Sequence, residues 1–323
     1  MNAPTSRDRL WQKRLKEFGA VWPDVVGGRT TGLHKCRVAS RRIREALPIV
    51  GIDAPPAKVR KLNKKMRALT RYLGPIRELD VELALLEDKA KTDGTSARAI
   101  EMVRREVAAR RQALGHRLEE NAPVGDVRKL LRKLERIGGK AAKSRGRTPK
   151  GDSRKEKEWR ALLAIRLMRR AKALGAALDE AGPVYAPERL HDVRIGTKKL
   201  RYALEIARDA GIAHAAPPLR LLKRHQERLG RLHDLQMLLK HVRETEATPG
   251  AGSRVNDLSG YADSLDRECR RLHADFVERR GELASVVRAV KHLVVPSLTT
   301  GSRRQAHVAA PRRVGAAATV RAK

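Results

Sequence analysis

Two segments of the chain carry a histidine followed by basic residues at the spacing of helical turns. The first is LHKCRVASRRIREAL at 33–47, and the second is LHDVRIGTKKLRYAL at 190–204. His34 in the first segment matches His191 in the second. Imidazolium, guanidinium and ammonium groups donate hydrogen bonds and carry positive charge, so a row of them suits contact with anions such as phosphates. These segments therefore indicate anion binding.

The basic residues of each segment share one side of the predicted helix. At about 100° per residue, each row falls within an arc of about 80°, and apolar residues fill the opposite side. Like charges four residues apart destabilise an isolated helix by about 0.2–0.5 kcal/mol per pair, and a bound anion would reverse that sign. An ordinary basic surface is the alternative, and the repetition of the pattern argues against it. In order, the two stripes are His34, Arg37, Arg41 and Arg44, and His191, Arg194, Lys198 and Arg201.

Neighbouring residues extend the candidate site. Arg42 and Lys199 lie about 80° from the stripes and would reach a groove rim. Tyr202 would either donate a hydrogen bond to a phosphate or pack in the core. The two histidines have a structural alternative as helix caps or core residues, although their alignment with arginines favours an anion contact. The following helix in each half offers flanking basic walls, formed by Arg60, Lys64, Arg67 and Arg71, and by Arg220, Lys223 and Arg224.

A Leu-Gly pair follows each of these walls, at 73–74 and 229–230. Glycine after a helix suits a left-handed cap, so we expect a helix to end at Gly74 and another at Gly230. An acidic residue comes four positions later in each half, as Glu78 and Asp234. We interpret these acids first as charges favourable to a helix N-terminus, and alternatively as groups that orient nearby arginines.

Composition bounds the class of protein. The chain has 323 residues and a formal net charge of +35, which attracts nucleic acid, anionic membrane surfaces or inorganic polyphosphate. Aromatic residues make up only 3%, so aliphatic side chains must fill a core of packed helices. Two cysteines are too few for a disulfide framework. The chain shows neither a secretory signal nor an apolar run of about 20 residues, so we expect a cytoplasmic protein without a membrane span.

The organisation predicted along the chain is helix after helix, with no useful strand pattern. The second histidine segment follows the first by 157 positions, which indicates a duplicated half-domain. We therefore predict halves at about 5–138 and 156–295, joined by a flexible basic linker at 139–155. In the second half we predict separate helices at 217–230 and 232–247. Residues 296–323 are basic and low in complexity, which predicts a disordered tail.

The order and duplication of these motifs resemble the CHAD domain, the conserved histidine α-helical domain, over about residues 5–295. The resemblance implies an all-α fold of two four-helix bundles related by an approximate two-fold axis, with a basic groove or pore between them. It also implies binding of inorganic polyphosphate and, in bacteria, association with polyphosphate granules. The stripes and walls named above would then contact the phosphate chain. Arginine holds two phosphate oxygens at once, whereas lysine acts as a point charge.

Two other functions stay open at this point. The charge permits weak nonspecific nucleic-acid binding, although no nucleic-acid-binding motif occurs and the aromatic residues that stack on single strands are scarce. The protein could also be an accessory subunit of an enzyme that metabolises polyphosphate or triphosphate. The chain carries no phosphate-binding glycine loop, zinc-protease motif or carboxylate cluster for Mg²⁺. We therefore expect no catalysis, metal or cofactor.

Overall fold

A computed structural model describes residues 6–92, 96–121, 124–143, 149–212, 214–248 and 255–299. These residues are almost entirely helical and contain no strand, which confirms the predicted all-α class. A short 3-10 turn at Gly51–Asp53 follows the second helix. In chain order the α-helices are α1 (Ser6–Val26), α2 (Thr30–Val50), α3 (Pro56–Tyr72), α4 (Gly74–Thr92), α5 (Ala97–Asn121), α6 (Val124–Lys143), α7 (Pro149–Glu180), α8 (Pro187–Asp209), α9 (Ala216–Glu246) and α10 (Val255–Thr299).

Helices α1, α2, α3 and α6 pack in a ring, each against two of the others. The apolar side predicted for α2 faces this interior, where Leu33, Cys36 and Ile43 are fully buried. The indole of Trp11 on α1 donates a hydrogen bond of 3.1 Å to the carbonyl of Leu134 on α6. Burial of the aliphatic stripe therefore fixes which side of α2 points away from the bundle core.

Helices α7, α8, α9 and α10 form a second ring of packed helices. The predicted apolar side of α8 is buried in it, including Val193, Leu200 and Leu204. The hairpin of α4 and α5 packs on α9 and α10, and α2 contacts α7 and α8, so one continuous core joins both rings. The approximate two-fold axis between the halves stays a prediction.

The predicted break in the second half is wrong, because α9 is a single helix that passes through Gly230. The first half does break, between α3 and α4, at Leu73. Pro75 explains this difference, since proline lacks an amide N–H and clashes with the preceding helical turn, whereas Arg231 follows Gly230. Neither predicted glycine cap forms, because the glycines with a positive φ are Gly28 and Gly211 among the described residues.

The predicted linker is partly helical. Helix α6 continues to Lys143 and α7 begins at Pro149, while 144–148 lie outside the described residues. Helix α10 likewise continues to Thr299, and the rest of the predicted tail, 300–323, is outside the described range. No helix in the described ranges combines the length and apolar character needed to cross a bilayer. Cys36 and Cys269 are both buried free thiols.

Candidate functional site

A groove runs between the two helix rings where α2 and α8 lie side by side. It consists of a larger chamber of about 740 Å³ and a smaller chamber of about 370 Å³. The two chambers are adjacent, because five residues line both of them. Cations from both halves of the chain stand at this junction. The shared residues are Arg37, Arg41, Glu78, Ile195 and Lys198.

The larger chamber is bounded by α2, α3, α4, α7 and α8. The sequence stripes supply part of its wall, and the predicted rim residue Lys199 and Tyr202 also line it. Tyr202 is buried, so its ring forms part of the chamber wall and has little exposed surface. Two arginines of α7 complete the chamber, and the sequence patterns did not single them out, although their four-residue spacing places them on one helix face. Besides the junction residues, the cations of this chamber are Arg44, Arg67, Arg71, Arg166, Arg170 and Lys199.

The smaller chamber is bounded by α2, α4, α8 and α9, and it contains both predicted histidines. Arg77 and His233 were not predicted as site residues. They occupy equivalent places in the two Leu-Gly motifs, three positions after the glycine, and this equivalence could have identified them. Besides the junction residues, the titratable groups of this chamber include His34, Arg77, His191, Arg194, His233 and Asp234.

Apart from Arg166 and Arg170, which pair with Glu45, the groove cations lack the carboxylate partners that neutralise other faces of the described molecule. Neither Arg41 nor Lys198 forms an ion pair within 4.0 Å among the described residues. The Nε atoms of Arg44 and Arg194 are buried without a hydrogen-bond partner in the same set of residues. A buried donor without a partner costs about 1–3 kcal/mol, which an anion in the groove would offset.

Burial and repulsion between neighbouring charges lower the pKa values of several groove cations. Burial, together with the charges of Arg194 and Arg41, lowers the pKa of Lys198 to about 7. Burial and the charge of Arg41 likewise lower the pKa of Arg37 to about 10. Burial is the main cause of the lowered pKa of Arg194. The groove therefore holds more positive charge than the protein itself stabilises, which is the electrostatic state expected of a site for a polyanion.

The histidines do not act as caps or core residues. His34 and His191 are exposed, and neither α2 nor α8 has a side-chain cap hydrogen bond. Partial desolvation of the ring by the groove walls, together with the charges of Arg77 and Arg37, lowers the pKa of His34, in the direction expected for a cationic site. The ring of His233 lies 5.3 Å from that of His191, and burial with the charge of Arg194 lowers the pKa of His233 to about 3.

Arg37 is held in place by the end of α3. Its Nη1 donates a hydrogen bond of 2.9 Å to the carbonyl of Thr70, whose hydroxyl lies 2.9 Å from that of Ser40. A Cβ added at Gly74 would lie 2.9 Å from the same Nη1 atom. Gly74 therefore leaves room for the Arg37 guanidinium, whose tip would have to shift if a Cβ were added, whereas a Cβ at Gly230 would meet no atom within 4 Å.

A buried carboxylate positions the two arginines of α7. Glu45 on α2 accepts hydrogen bonds from Nε of Arg166 at 2.6 Å and from Nε and Nη2 of Arg170, both at 2.9 Å. Burial alone would raise the pKa of Glu45, but the hydrogen bonds from Arg170 and Arg166 outweigh it and lower the pKa. Glu45 thus holds two guanidinium groups at the wall of the larger chamber and connects α2 to α7.

The acids of the Leu-Gly motifs both enter the groove. Asp234 lies in the middle of α9, so the interpretation as a helix N-terminal charge is wrong for it. Burial raises the pKa of Asp234, against the opposing charges of Arg194 and Lys198. Neither Glu78 nor Asp234 forms an ion pair within 4.0 Å in the described part of the chain. Their effect on the arginines is therefore through longer-range charge.

Some predicted site residues lie elsewhere. Arg201 is buried, and its Nη1 donates a hydrogen bond of 2.7 Å to Glu205, which also accepts one of 2.9 Å from Nε of Arg42. Glu205 follows Arg201 by four residues, whereas Pro48 occupies the matching position after Arg44, so only the first-half arginine lacks a carboxylate. Five other predicted residues are exposed and line neither chamber, namely Arg60, Lys64, Arg220, Lys223 and Arg224.

The fold and the groove define a class of helical proteins with a cation-lined groove between two packed halves. Residues 9–243 match the family model of the CHAD domain, and the chain therefore belongs to the CHAD family. The chain is also similar to a solved structure, the CHAD domain from the plant Ricinus communis. The TM-score is 0.57 at 23% sequence identity, covering 90% of this chain and 93% of that chain, which supports the fold. No curated protein matches the chain.

Proposed function

We propose that the groove binds inorganic polyphosphate. The observation that carries the proposal is the arrangement of cations from both halves around two adjoining chambers, where, among the described residues, only Arg166 and Arg170 pair with a carboxylate, Glu45. Arg37 and Arg41 of α2 and Lys198 of α8 stand at the junction of the chambers. A linear chain of phosphates passing from one chamber to the other would offset their mutual repulsion.

The chemistry of the groove walls favours a ligand made only of phosphates. Apart from histidines, Tyr202 is the single aromatic residue among the described lining residues of the two chambers, and it is buried. Proteins that grip single-stranded nucleic acid stack bases on exposed aromatic rings, and in the described part of the chain this groove offers no exposed phenylalanine, tyrosine or tryptophan for that purpose. Arginine forks bind phosphate oxygens without requiring a base.

We also propose that the protein acts by binding and not by catalysis, and that it associates with polyphosphate granules in the cytoplasm. A separate enzyme that metabolises polyphosphate is a suitable partner for such a protein. In the described residues, no group of three or more histidine, cysteine or carboxylate side chains is arranged to hold a metal ion. The binding role rests on the groove, and the granule role rests on the family.

The proposal is tested by measuring the affinity of the full chain for long-chain polyphosphate across a salt series. The groove variant carries Arg41→Gln, Arg194→Gln and Lys198→Gln. The control variant carries Lys16→Gln, Arg267→Gln and Arg271→Gln. The control removes the same three charges from exposed positions on α1 and α10 that line neither chamber. Circular dichroism establishes that both variants keep their helicity.

We expect the groove variant to lose at least about tenfold in affinity at physiological salt, with the control close to the wild-type protein. Single-stranded and duplex DNA of equal total charge serve as competitors, and we expect both to compete poorly. Equal losses in the two variants would mean that only net charge matters. If DNA binds as tightly as polyphosphate and the groove substitutions weaken both equally, nucleic acid would be the ligand in place of polyphosphate.

A further inference from the structure

Helices α3 and α6 carry a dense set of cations on their exposed sides. Helix α3 has seven lysines and arginines and no acidic residue over Pro56–Tyr72. Among the described side chains of α6, five are basic and two, Asp126 and Glu135, are acidic. The exposed cations, which we term the outer basic face, are Arg60, Lys61, Lys64 and Lys65 of α3 and Arg128, Lys129, Arg132, Lys133 and Arg136 of α6.

The outer basic face is not neutralised as other exposed faces are. On α5 and α10, arginines pair with acids three or four residues away, as Arg105 does with Glu101 and Arg270 with Asp266. None of the cations of the outer basic face forms an ion pair within 4.0 Å among the described residues. Like charges at these helical spacings are unfavourable. This face therefore has the same uncompensated charge as the groove, although it lies outside both chambers.

The outer basic face is continuous with the groove along α3. Arg67 and Arg71 line the larger chamber, and Lys64 and Arg60 continue the same row toward the start of the helix. The row from Arg71 back to Arg60 extends for about 16 Å at a rise of about 1.5 Å per residue.

Helix α6 lies beside the far end of this row. Val59 and Ile137 both lie next to Gly51, at 2.9 Å and 3.5 Å from a Cβ added there. Arg60 follows Val59 and Arg136 precedes Ile137, and α3 packs against α6, so both helices carry exposed cations close to this contact. The charged row on α3 thus widens into a two-helix surface as it leaves the groove.

We propose that the outer basic face is a second binding surface, which holds the part of a long polyphosphate chain that emerges from the larger chamber. The inference rests on the proposed function of the groove. The proposal predicts that affinity depends on the length of the polyphosphate chain. A short polyphosphate contacts only the groove, whereas a long chain also contacts α3 and α6. Because the row begins inside the groove, a single linear polyanion that leaves the larger chamber along α3 reaches both surfaces.

The test compares tripolyphosphate with long-chain polyphosphate on the full chain. The outer-face variant carries Arg60→Gln, Lys64→Gln, Arg132→Gln and Lys133→Gln. A matched control variant carries Lys16→Gln, Lys172→Gln, Arg267→Gln and Arg271→Gln. Both variants lose two arginines and two lysines at exposed helical positions, so they share net charge and composition. The groove variant described above is measured in parallel with both probes.

We expect the outer-face variant to lose affinity for the long chain. The log–log slope of its salt dependence should decrease by about 0.7 for each phosphate that the substituted side chains no longer neutralise. Its affinity for tripolyphosphate should equal that of the control. Equal long-chain affinities in the outer-face and control variants would overturn the proposal. So would an outer-face variant that loses duplex DNA binding and keeps long-chain polyphosphate, which would make this face a nucleic-acid surface.

Failure of the groove proposal has a different signature. In that case the groove variant would bind both phosphate probes as tightly as the wild-type protein. If the groove variant loses both probes and the outer-face variant loses neither, the groove function stands and the outer surface alone is rejected.

Discussion

Lys198 gives the groove a predicted pH dependence. Burial and the charges of Arg194 and Arg41 lower its pKa to about 7 from a reference value of 10.5. A phosphate chain stabilises the ammonium form, so binding raises the pKa of Lys198 and takes up a proton. Affinity should therefore be highest below pH 7 and fall as the pH rises above that value.

The magnitude follows from the fraction of protein that carries the charged lysine. With a pKa of about 7, about half of the Lys198 side chains are protonated at pH 7 and about one hundredth at pH 9. If only the charged form binds tightly, the apparent affinity falls by up to about fiftyfold between these pH values. Desolvation and neighbouring basic residues lower the pKa values of His34 and His191 from 6.5, so both rings are mostly neutral in the free protein from pH 7 to 9.

Isothermal titration with long-chain polyphosphate at pH 6, 7, 8 and 9 measures this effect, since only the terminal groups of a long chain titrate near neutrality. Lys198→Arg is the matched variant, because a guanidinium stays charged throughout this range. We expect tight binding that is nearly independent of pH from 7 to 9 in Lys198→Arg. An unchanged pH profile in this variant would refute the reasoning.

The pH dependence of folding stability tests the lowered pKa of Lys198 independently of ligand binding. Because the folded-state pKa of Lys198 is below the reference value, the unfolded chain binds more protons between pH 7 and 10.5. The contribution of Lys198 to stability therefore increases as the pH rises through this window, opposite to its effect on affinity. Urea unfolding at pH 7 and 8.5 should show a smaller increase in Lys198→Gln than in the wild-type protein.

Three further substitutions test other parts of the groove. Glu78→Gln removes a carboxylate that lines both chambers, so polyphosphate affinity should increase in a low-salt titration; a decrease would show that Glu78 orients the cations. Glu45→Gln leaves two arginines of α7 without their carboxylate, and urea unfolding should show a loss of about 1–3 kcal/mol that added polyphosphate partly restores. Gly74→Ala should displace the Arg37 guanidinium and weaken polyphosphate binding, whereas Gly260→Ala, whose added Cβ meets no atom within 4 Å, should not; equal affinities would remove the proposed role of Gly74.

The sequence alone predicted the helical class and the orientation of the two stripe helices. Periodicity suffices for this, because burial of the aliphatic side leaves the basic side pointing outward whatever the partner helix is. Leu33 and Ile43 are buried in α2, and Leu200 is buried in α8, as expected. Seven of the eight stripe residues line the groove, namely His34, Arg37, Arg41, Arg44, His191, Arg194 and Lys198.

The partners of individual charges depended on tertiary structure. Arg44 and Arg201 hold equivalent sequence positions, yet Arg44 lines the groove and Arg201 is neutralised by Glu205, which also binds Arg42 of the other half. Helical periodicity cannot predict a contact between residues separated by 163 positions in the chain. Arg166 and Arg170 were not identified from the sequence for the same reason. Their partner, Glu45, lies on α2, far from them in the chain.

The role of Gly74 shows the same division. A Leu-Gly pair is visible in both halves of the sequence, and local rules predict a helix cap at each. In the folded chain, Gly74 makes room for Arg37, and Gly230 lies within an uninterrupted helix. The sequence by itself determined which side of each helix is charged, because that depends on residues within a few turns. Only the tertiary structure decided which charges meet across the groove and which are neutralised, because Coulomb energies depend on distances between helices that no local pattern specifies.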